Sequence, residues 1–250
     1  MKLLAIDSSG LVASVALLVD DILVGEYTIH NKKTHSQTLL PMIADMLAMA
    51  EVDKHELTAI AVAAGPGSFT GLRIGAATAK GLAQALDIPV VPVSTLMGLA
   101  YNMQGTEALV CPIMDARRSQ AYYGIYEVSG EMPKALTEEA AEPIETVISQ
   151  VKELGRKTVF LGDGVPVFRE RIAEALGEAS GLEPSGAGRS QDSTDGLASF
   201  AGDAVRYQRA SSVAALGRIL LADGYEITAA EFVPKYLRVS QAERERKARG

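Results

Sequence analysis

The hydrophobic pattern between Ala59 and Val93 gives the clearest structural signal in the chain. Ile60 to Ala64 is an apolar run of strand length, and the turn residues Gly65-Pro66-Gly67 end it. A helix is predicted from about Gly71 to Leu86, and a second short strand at Val90 to Val93. Strand, glycine-rich turn, helix and strand in this order predict a βαβ unit with a parallel pair of strands.

One face of this predicted helix has almost no side-chain bulk. Gly71, Gly75 and Ala79 recur at a spacing of four residues. Glycine in a helix interior costs about 1 kcal/mol relative to alanine, so two of them indicate a close packing contact. Two interpretations stay open: the strip packs against this protein's own sheet and helices, or it receives a neighbouring chain.

The first residues of the chain predict an antiparallel meander. Short polar turns join three apolar runs, at Lys2 to Ile6, Val12 to Val19 and Ile22 to Ile29. The first turn, Asp7-Ser8-Ser9-Gly10, places a carboxylate and two hydroxyls at a strand end. In an ATPase fold of the actin or sugar-kinase type, such a turn faces the phosphates and its acid positions a hydrated magnesium ion.

A nucleotide site is therefore one hypothesis for the two polar turns. Its candidate residues are Asp7, Ser8, Ser9, Gly65 and Gly67. A plain hydrogen-bonded turn is the alternative.

A second amphipathic helix is predicted at Gln37 to Ala50. Met42 and Met49 fall away from the centre of its predicted apolar face, as core-filling residues or as part of a contact surface. Pro41 removes one backbone donor near the start of the helix. Its predicted core face comprises Leu39, Leu40, Ile43, Met46, Leu47 and Ala50.

A polar linker at Asn102 to Glu107 predicts a boundary between two lobes. We expect an N-terminal lobe at 1–105, a C-terminal lobe at 106–210, and a closing helix with a charged tail at 211–250. The second lobe begins with strands at Ala108 to Met114 and Ala121 to Val128, and the charged turn between them presents Arg117 and Arg118. Later predicted elements are a helix through Glu153, a strand at Thr158 to Leu161 before Gly162-Asp163-Gly164, a helix at Val167 to Leu176, and a flexible loop at Ser185 to Gly196.

Composition and charge narrow the possible functions. The chain has 250 residues, 48% hydrophobic and 22% charged, which is typical of a globular protein. Its net charge of -7 argues against this chain alone binding a nucleic acid over a wide surface. A local basic patch or a basic partner stays open. The N-terminal apolar run is too short for a signal peptide or a membrane span, so we expect a cytoplasmic protein with no membrane contact. The one cysteine, Cys111, lies in a predicted strand and is expected to be a buried thiol.

The sequence offers few groups for catalysis. None of the three histidines pairs with another at a spacing of four, and no carboxylate and histidine set has the spacing of a metal site. There is neither a Gly-x-Ser-x-Gly elbow nor a Walker A ending after Gly65-Pro-Gly-Ser-Phe-Thr-Gly. Arg73 and Lys80 could neutralise phosphate, or serve as solvated or partner-facing charges. We therefore predict no catalytic residue and no metal site, which favours a pseudo-enzyme or scaffold.

Several motifs together resemble the bacterial TsaB family, also called YeaZ. The central one is Gly65-Pro-Gly-Ser-Phe-Thr-Gly-Leu-Arg-Ile-Gly75. The resemblance implies a two-lobed actin/Hsp70/sugar-kinase-like α/β fold, with mixed sheets flanked by helices. It also implies a role in forming N6-threonylcarbamoyladenosine at position 37 of tRNAs that read codons starting with A. The other motifs are Leu4-Ala-Ile-Asp7-Ser-Ser, Thr34-His-Ser36, Leu39-Leu-Pro41, Lys80-Gly-Leu, Pro92-Val-Ser94, Asp115-Ala-Arg-Arg118 and, more loosely, Gly162-Asp-Gly164 and Pro234-Lys-Tyr-Leu-Arg238.

The resemblance further implies a non-catalytic subunit that binds the related transferase TsaD and works with the ATPase TsaE. It implies a homodimer when the partner is absent, contact with tRNA only through the complex, and no cofactor required by this chain, with ATP or ADP as a candidate at the partner interface. TsaD-like chains carry a His-x-x-x-His metal pair in the segment that corresponds here to Ser94 to Ala100, which has no histidine.

TsaB-like proteins use the two helices of the first lobe to bundle with TsaD or with a second copy. The implied interface residues are His35, Ser36, Leu39, Met42, Met49, Gly71, Arg73, Gly75, Ala79 and Leu82. Two rival functions remain: a nucleotide-dependent phosphotransferase of the same superfamily, and an inactive peptidase-like homodimer.

Overall fold

The computed structural model describes residues 1–31, 34–179 and 196–238. Of the predicted loop at Ser185 to Gly196, only Gly196 lies within these ranges. The predicted charged tail from Ser240 lies outside the described residues.

The first sheet has five strands in the order β3-β2-β1-β4-β5. The first three form the predicted antiparallel meander, and β1, β4 and β5 are parallel. Helix α2 connects β4 to β5, which confirms the predicted βαβ unit. The bounds are β1 Lys2–Asp7, β2 Ala13–Val19, β3 Ile22–Ile29, α1 His35–Met49, a 3-10 turn Lys54–Glu56, β4 Ala59–Ala63, α2 Phe69–Leu86 and β5 Val90–Val93.

The second sheet repeats this strand order as β10-β7-β6-β11-β12, so the chain is built from two lobes of the same topology. The remaining helices of the described chain are α3 Thr95–Tyr101, α4 Ile144–Leu154, α5 Val165–Leu176, α6 Asp203–Arg206 and α7 Ala210–Ala222. Its strands are β6 Leu109–Asp115, β7 Gln120–Tyr123, β8 Tyr126–Glu127, β9 Lys134–Ala135, β10 Ala140–Pro143, β11 Thr158–Leu161 and β12 Ala198–Phe200.

The single strand predicted at Ala121 to Val128 is two strands, β7 and β8. The break falls at Gly124, where an added Cβ would lie 2.8 Å from the Tyr126 ring. β7 pairs with β6 and β10, whereas β8 pairs with β6 and β9.

Helix α7 returns to the first lobe and covers the second face of its sheet. Val213 and Leu216 pack there in one buried cluster with Leu3 and Val91. At Gly217 an added Cβ would lie 2.5 Å from Ala61 Cβ, so the absence of a side chain lets the helix approach the sheet closely. The first sheet is thus enclosed by α1 and α2 on one face and α7 on the other. The domain boundaries at 105 and 210 stay predictions.

The inward face of α1 differs from the predicted one at two positions. Leu40 is 53% exposed, whereas Met42 is only 4% exposed and belongs to the core. The buried residues Leu39, Met42 and Met46 follow a spacing of three and four, and Leu40 lies one residue, about 100°, around the helix from that line.

Candidate functional site at the junction of the lobes

The turn between β1 and β2 is buried at the junction of the two lobes. Asp7 is 2% exposed, and its Oδ1 accepts hydrogen bonds from the Ser9 amide at 2.9 Å and the Ser9 hydroxyl at 2.6 Å. Burial raises the pKa of the Asp7 carboxyl to about 6, although the Ser9 hydrogen bonds and the nearby His35 act in the opposite direction.

The other polar groups of this turn are bonded to the start of α2. Ser8 Oγ donates to the Gly71 carbonyl at 2.9 Å, and the Ser68 amide donates to the Ser9 carbonyl at 2.7 Å. Added Cβ atoms at Gly67 and Gly71 would lie 2.4 Å and 2.1 Å from the carbonyl oxygens of Ser9 and Ser8. The backbone of the β1–β2 turn therefore contacts the backbone at the start of α2, and this contact is possible because Gly67 and Gly71 have no side chains.

Gln208 fills the space in front of the β1–β2 turn. Its side-chain amide covers Gly10, where an added Cβ would lie 2.3 Å from Gln208 Nε2. The same Nε2 donates to Met114 Sδ, at the end of β6 in the second lobe, at 3.6 Å. Gln208 is 1% exposed, and its Oε1 has no hydrogen-bond partner within the described part of the chain. No local sequence pattern marks this residue, so sequence reasoning missed it.

The second lobe places its own acidic residues at the corresponding turns. Asp163 Oδ1 accepts a hydrogen bond from the Asp115 amide at 3.2 Å. Burial raises the pKa of Asp163 to about 6, and the negative charge of Asp115 adds to the effect. Gly162 and Gly164 pack on the Ile113 carbonyl, because added Cβ atoms would lie 2.2 Å and 2.9 Å from its oxygen. This second glycine turn is therefore occupied by a neighbouring strand.

Glu139 ties three segments together across the junction. It accepts hydrogen bonds from the hydroxyls of Ser94 and Tyr126, the latter at 3.0 Å, and from Lys235 Nζ at 3.1 Å. Ser94 also caps α3, since its Oγ accepts from the Met97 amide at 3.2 Å. Ser94 therefore takes part in a network with the Glu139 carboxylate and Lys235.

The strip of small residues on α2 packs inside the protein, which favours the first of the two interpretations left open by the sequence and leaves Gly71, Gly75 and Ala79 unavailable to a neighbouring chain. Gly71, Gly75 and Ala79 are buried. An added Cβ at Gly75 would lie 2.5 Å from Ser8 Oγ, so the β1–β2 turn packs directly against the strip. Leu39 and Met42, also predicted at the interface, lie in the core because they form the inward line of α1.

Other predicted interface residues do lie on the outside of α1 and α2. Met49 is 79% exposed, and Ser36 and Arg73 are also exposed. Leu82 and His35 are partly exposed, and His35 Nε2 lies 3.0 Å from the Gly10 carbonyl oxygen.

The outer face of α2 carries a different row of small residues that the sequence analysis did not select. Ala77, Gly81 and Ala85 are exposed and, like the buried strip, recur every four residues. An added Cβ at Gly81 would meet nothing within 4 Å.

The remaining candidate groups are engaged within the protein. Lys80 Nζ donates to the carbonyls of Ala230 at 3.3 Å and Phe232 at 2.9 Å, beside a groove of about 530 Å³. Cys111 is buried, and burial raises the pKa of its thiol. Among the described residues, no group of three or more His, Cys, Asp or Glu side chains could hold a metal ion. Within the same ranges no helix is both long and apolar enough to cross a membrane.

The repeated strand order and the facing turns define a two-lobed α/β protein with two mixed sheets flanked by helices. A family model described as "TsaD: tRNA N6-adenosine threonylcarbamoyltransferase" matches residues 23–246. The tRNA threonylcarbamoyladenosine biosynthesis protein TsaB of Bacillus subtilis is 34% identical over 247 residues, which cover 97% of this chain and 96% of that protein. The chain belongs to the TsaB family.

Further relatives agree with this placement. The protein of the same name from Escherichia coli is 33% identical over 187 residues, covering 73% of this chain and 78% of that protein. The solved structure of YeaZ from Pseudomonas aeruginosa has a TM-score of 0.74 and 30% identity, and the match covers 94% of this chain and 99% of that one. Another solved structure, described as an uncharacterized protein with similarity to peptidase YeaZ from the same organism, has a TM-score of 0.75 and 30% identity, with 95% and 99% covered.

Proposed function

We propose that this chain is a non-catalytic subunit in the formation of N6-threonylcarbamoyladenosine in tRNA, and that it acts by docking on a TsaD-class catalytic subunit. The observation that carries the proposal is the Gln208 amide on Gly10. It fills the space beside the β1–β2 turn, which is the turn that the nucleotide-site hypothesis requires to be open to a phosphate. The names of the curated TsaB relatives supply the biological process.

The internal bonding of the turn supports the absence of phosphotransfer. A magnesium-positioning acid has to present an accessible oxygen to a hydrated ion, whereas Asp7 is 2% exposed and its Oδ1 accepts two hydrogen bonds from Ser9. The Ser8 hydroxyl donates to the Gly71 carbonyl, so it is also engaged within the protein. These contacts support the proposal that this chain does not transfer phosphate.

The outer face of α2 is the surface we propose for docking. It is the exposed row Ala77, Gly81 and Ala85 of α2, and on the neighbouring α1 the exposed Leu40 and Met49 lie on opposite sides of the helix. We call the three residues of the α2 row the outer helix face. Gly81 lowers helix stability by about 1 kcal/mol relative to alanine and has no internal contact that requires it. A helix of the partner packed against Gly81 would account for a glycine at this position.

Further parts of the proposal follow the family. A TsaE-class ATPase would join the complex, a second copy of this chain would cover the outer helix face when the partner is absent, and ATP or ADP would bind only at the joint with the partner. The tRNA would be reached through the complex, in the cytoplasm. The chain itself would require no cofactor.

A reconstitution tests the proposal. A TsaD-class subunit and a TsaE-class ATPase are incubated with threonylcarbamoyl-AMP, ATP and unmodified tRNA, with and without this chain, and the modified nucleoside is quantified. We expect modification only when the chain is present. Equal modification without it would overturn the scaffold role. Calorimetric titration of the isolated chain with magnesium and ATP should give no binding, whereas tight binding and turnover would favour the phosphotransferase.

A further inference from the structure

The mouth of the lobe junction carries a continuous group of cationic and aromatic side chains. Arg73 Cζ lies 4.0 Å from the centre of the Phe69 ring, and the Phe69 and Tyr236 ring centres are 5.1 Å apart. Arg238 then reaches the β6–β7 turn, where its Nη1 donates to the carbonyls of Ala116 and Arg117, the latter at 3.3 Å. We call Arg73, Arg117, Arg118, Tyr236 and Arg238 the guanidinium patch.

Among the described residues, one of the four arginines in the guanidinium patch has an ion-pair partner. Arg117 pairs with Asp115 at 3.1 Å. In the described ranges, Arg73, Arg118 and Arg238 have no carboxylate oxygen within 4.0 Å. The partners of Arg238 are carbonyl oxygens, which leave its charge in place. Against a net charge of -7 for the whole chain, this is a local basic surface.

The turn that presents two of these arginines has an unusual backbone. Arg117, Arg118 and Ser119 have φ angles of 65°, 56° and 58°, so three consecutive residues adopt the left-handed conformation that L-amino acids rarely enter. The Arg238 guanidinium donates hydrogen bonds to the turn's carbonyl oxygens at Ala116 and Arg117. The Arg117 side chain is 86% exposed and Arg118 is also exposed. Strained backbone of this kind is concentrated at sites that hold a ligand.

We propose that the guanidinium patch is an RNA-binding surface, with Arg73 and Arg118 contacting phosphates and Tyr236 stacking on an unpaired base. The inference rests on the proposed function, because tRNA would be brought to this surface by the partner. Planar guanidinium groups bind phosphate, and an aromatic ring stacks on exposed bases in single-stranded regions. Tyr236 is 38% exposed beside these arginines. The carboxylates of an acidic protein would neutralise the charges but would leave the ring without a role.

The test measures tRNA binding by the complex of this chain with a TsaD-class subunit, by fluorescence anisotropy across a range of salt concentrations. The variants are the double substitution Arg73→Gln with Arg118→Gln, and Tyr236→Ala. The matched controls are Lys152→Gln, an exposed cation on α4, and Tyr236→Phe, which keeps the ring. The affinity of each variant for the partner is measured separately without RNA.

We expect the double arginine variant to bind tRNA about tenfold more weakly, with the slope of log K against log salt smaller by about 1.5, because two phosphate contacts are lost. Tyr236→Ala should weaken binding about tenfold, and both controls should match the wild type. Unchanged tRNA affinity in an intact complex would overturn this inference alone. Loss of partner affinity in the arginine variant would show that the patch faces protein, which also overturns it. If the wild type forms no complex, the proposed function fails and this inference fails with it.

Discussion

The amide of Gln208 lies directly on Gly10, so close that an added Cβ at Gly10 would be 2.3 Å from Gln208 Nε2. This contact joins the segment before α7 to the β1–β2 turn. It also explains why the turn requires a glycine at its end. Asp7, Ser8 and Ser9 of this turn are buried in the protein interior.

Two substitutions of Gln208 distinguish the contribution of its packing to stability from the cost of burying its polar amide. Gln208→Met keeps the side-chain length and removes the buried Oε1, which has no hydrogen-bond partner among the described residues. We expect the free energy of unfolding to rise by about 1 kcal/mol, because an unsatisfied buried acceptor costs about 1–3 kcal/mol. Gln208→Ala should instead lower the free energy of unfolding by about 2 kcal/mol through the cavity it leaves. Urea denaturation measures both values, and a less stable methionine variant would show that the amide is satisfied in solution.

Two glycines of α2 should respond in opposite ways to alanine. An added Cβ at Gly71 would lie 2.1 Å from the backbone oxygen of Ser8, so Gly71→Ala should destabilise the monomer by about 2 kcal/mol or more. Gly81 has open space, so Gly81→Ala should stabilise it by about 1 kcal/mol through helix propensity. Thermal and urea unfolding of the isolated chain provide the comparison. Equal effects at the two sites would contradict the assignment of inner and outer faces.

Because burial raises the pKa values of Asp7 and Asp163, we expect the free energy of unfolding to fall as the pH rises. The pKa of Asp7 is raised to about 6 by burial, whereas an unfolded aspartate titrates near 3.9. Between about pH 4 and pH 6 the folded state retains a proton that the unfolded state releases, so the free energy of unfolding decreases, and the full penalty applies above pH 6.

Asp7→Asn should remove this penalty, since its Oδ1 can still accept both Ser9 hydrogen bonds. We expect the variant to be more stable than the wild type by about 3 kcal/mol at pH 7, with little difference at pH 3. Urea titrations at a series of pH values provide the measurement. The same decline in the variant as in the wild type would mean that Asp7 is not protonated in the folded chain. Asp163 is the second source of such a slope, because burial also raises its pKa to about 6.

The sequence predicted most of the first lobe because local patterns determine it. Apolar runs of strand length, the turn at Gly65-Pro66-Gly67 and the helix that follows each carry their own signal. The break at Gly124 was missed because Tyr123 and Tyr126 continue a strand-like run on both sides of it, and the pairing partners of β7 and β8 come from elsewhere in the chain.

The candidate site was only partly predictable for the same reason. Helix α2 carries small residues on two faces, and periodicity alone does not tell which face turns inward. The hydrogen bond between Ser8 and Gly71, which are 63 residues apart, shows which face of α2 turns inward. Gln208 approaches Gly10 from the far end of the chain, so no local pattern could show that the turn is filled.

The affinity of this chain for a TsaD-class subunit tests the central claim most directly, with Gly81→Leu compared with wild type and Gly81→Ala in the same calorimetric titration. Because Gly81 is exposed and an added Cβ there would meet nothing within 4 Å, we expect the folded monomer to accept the leucine. We predict that Gly81→Leu weakens the complex at least tenfold while circular dichroism and unfolding remain those of a folded chain. Wild-type affinity in a folded Gly81→Leu variant would contradict docking through the outer helix face.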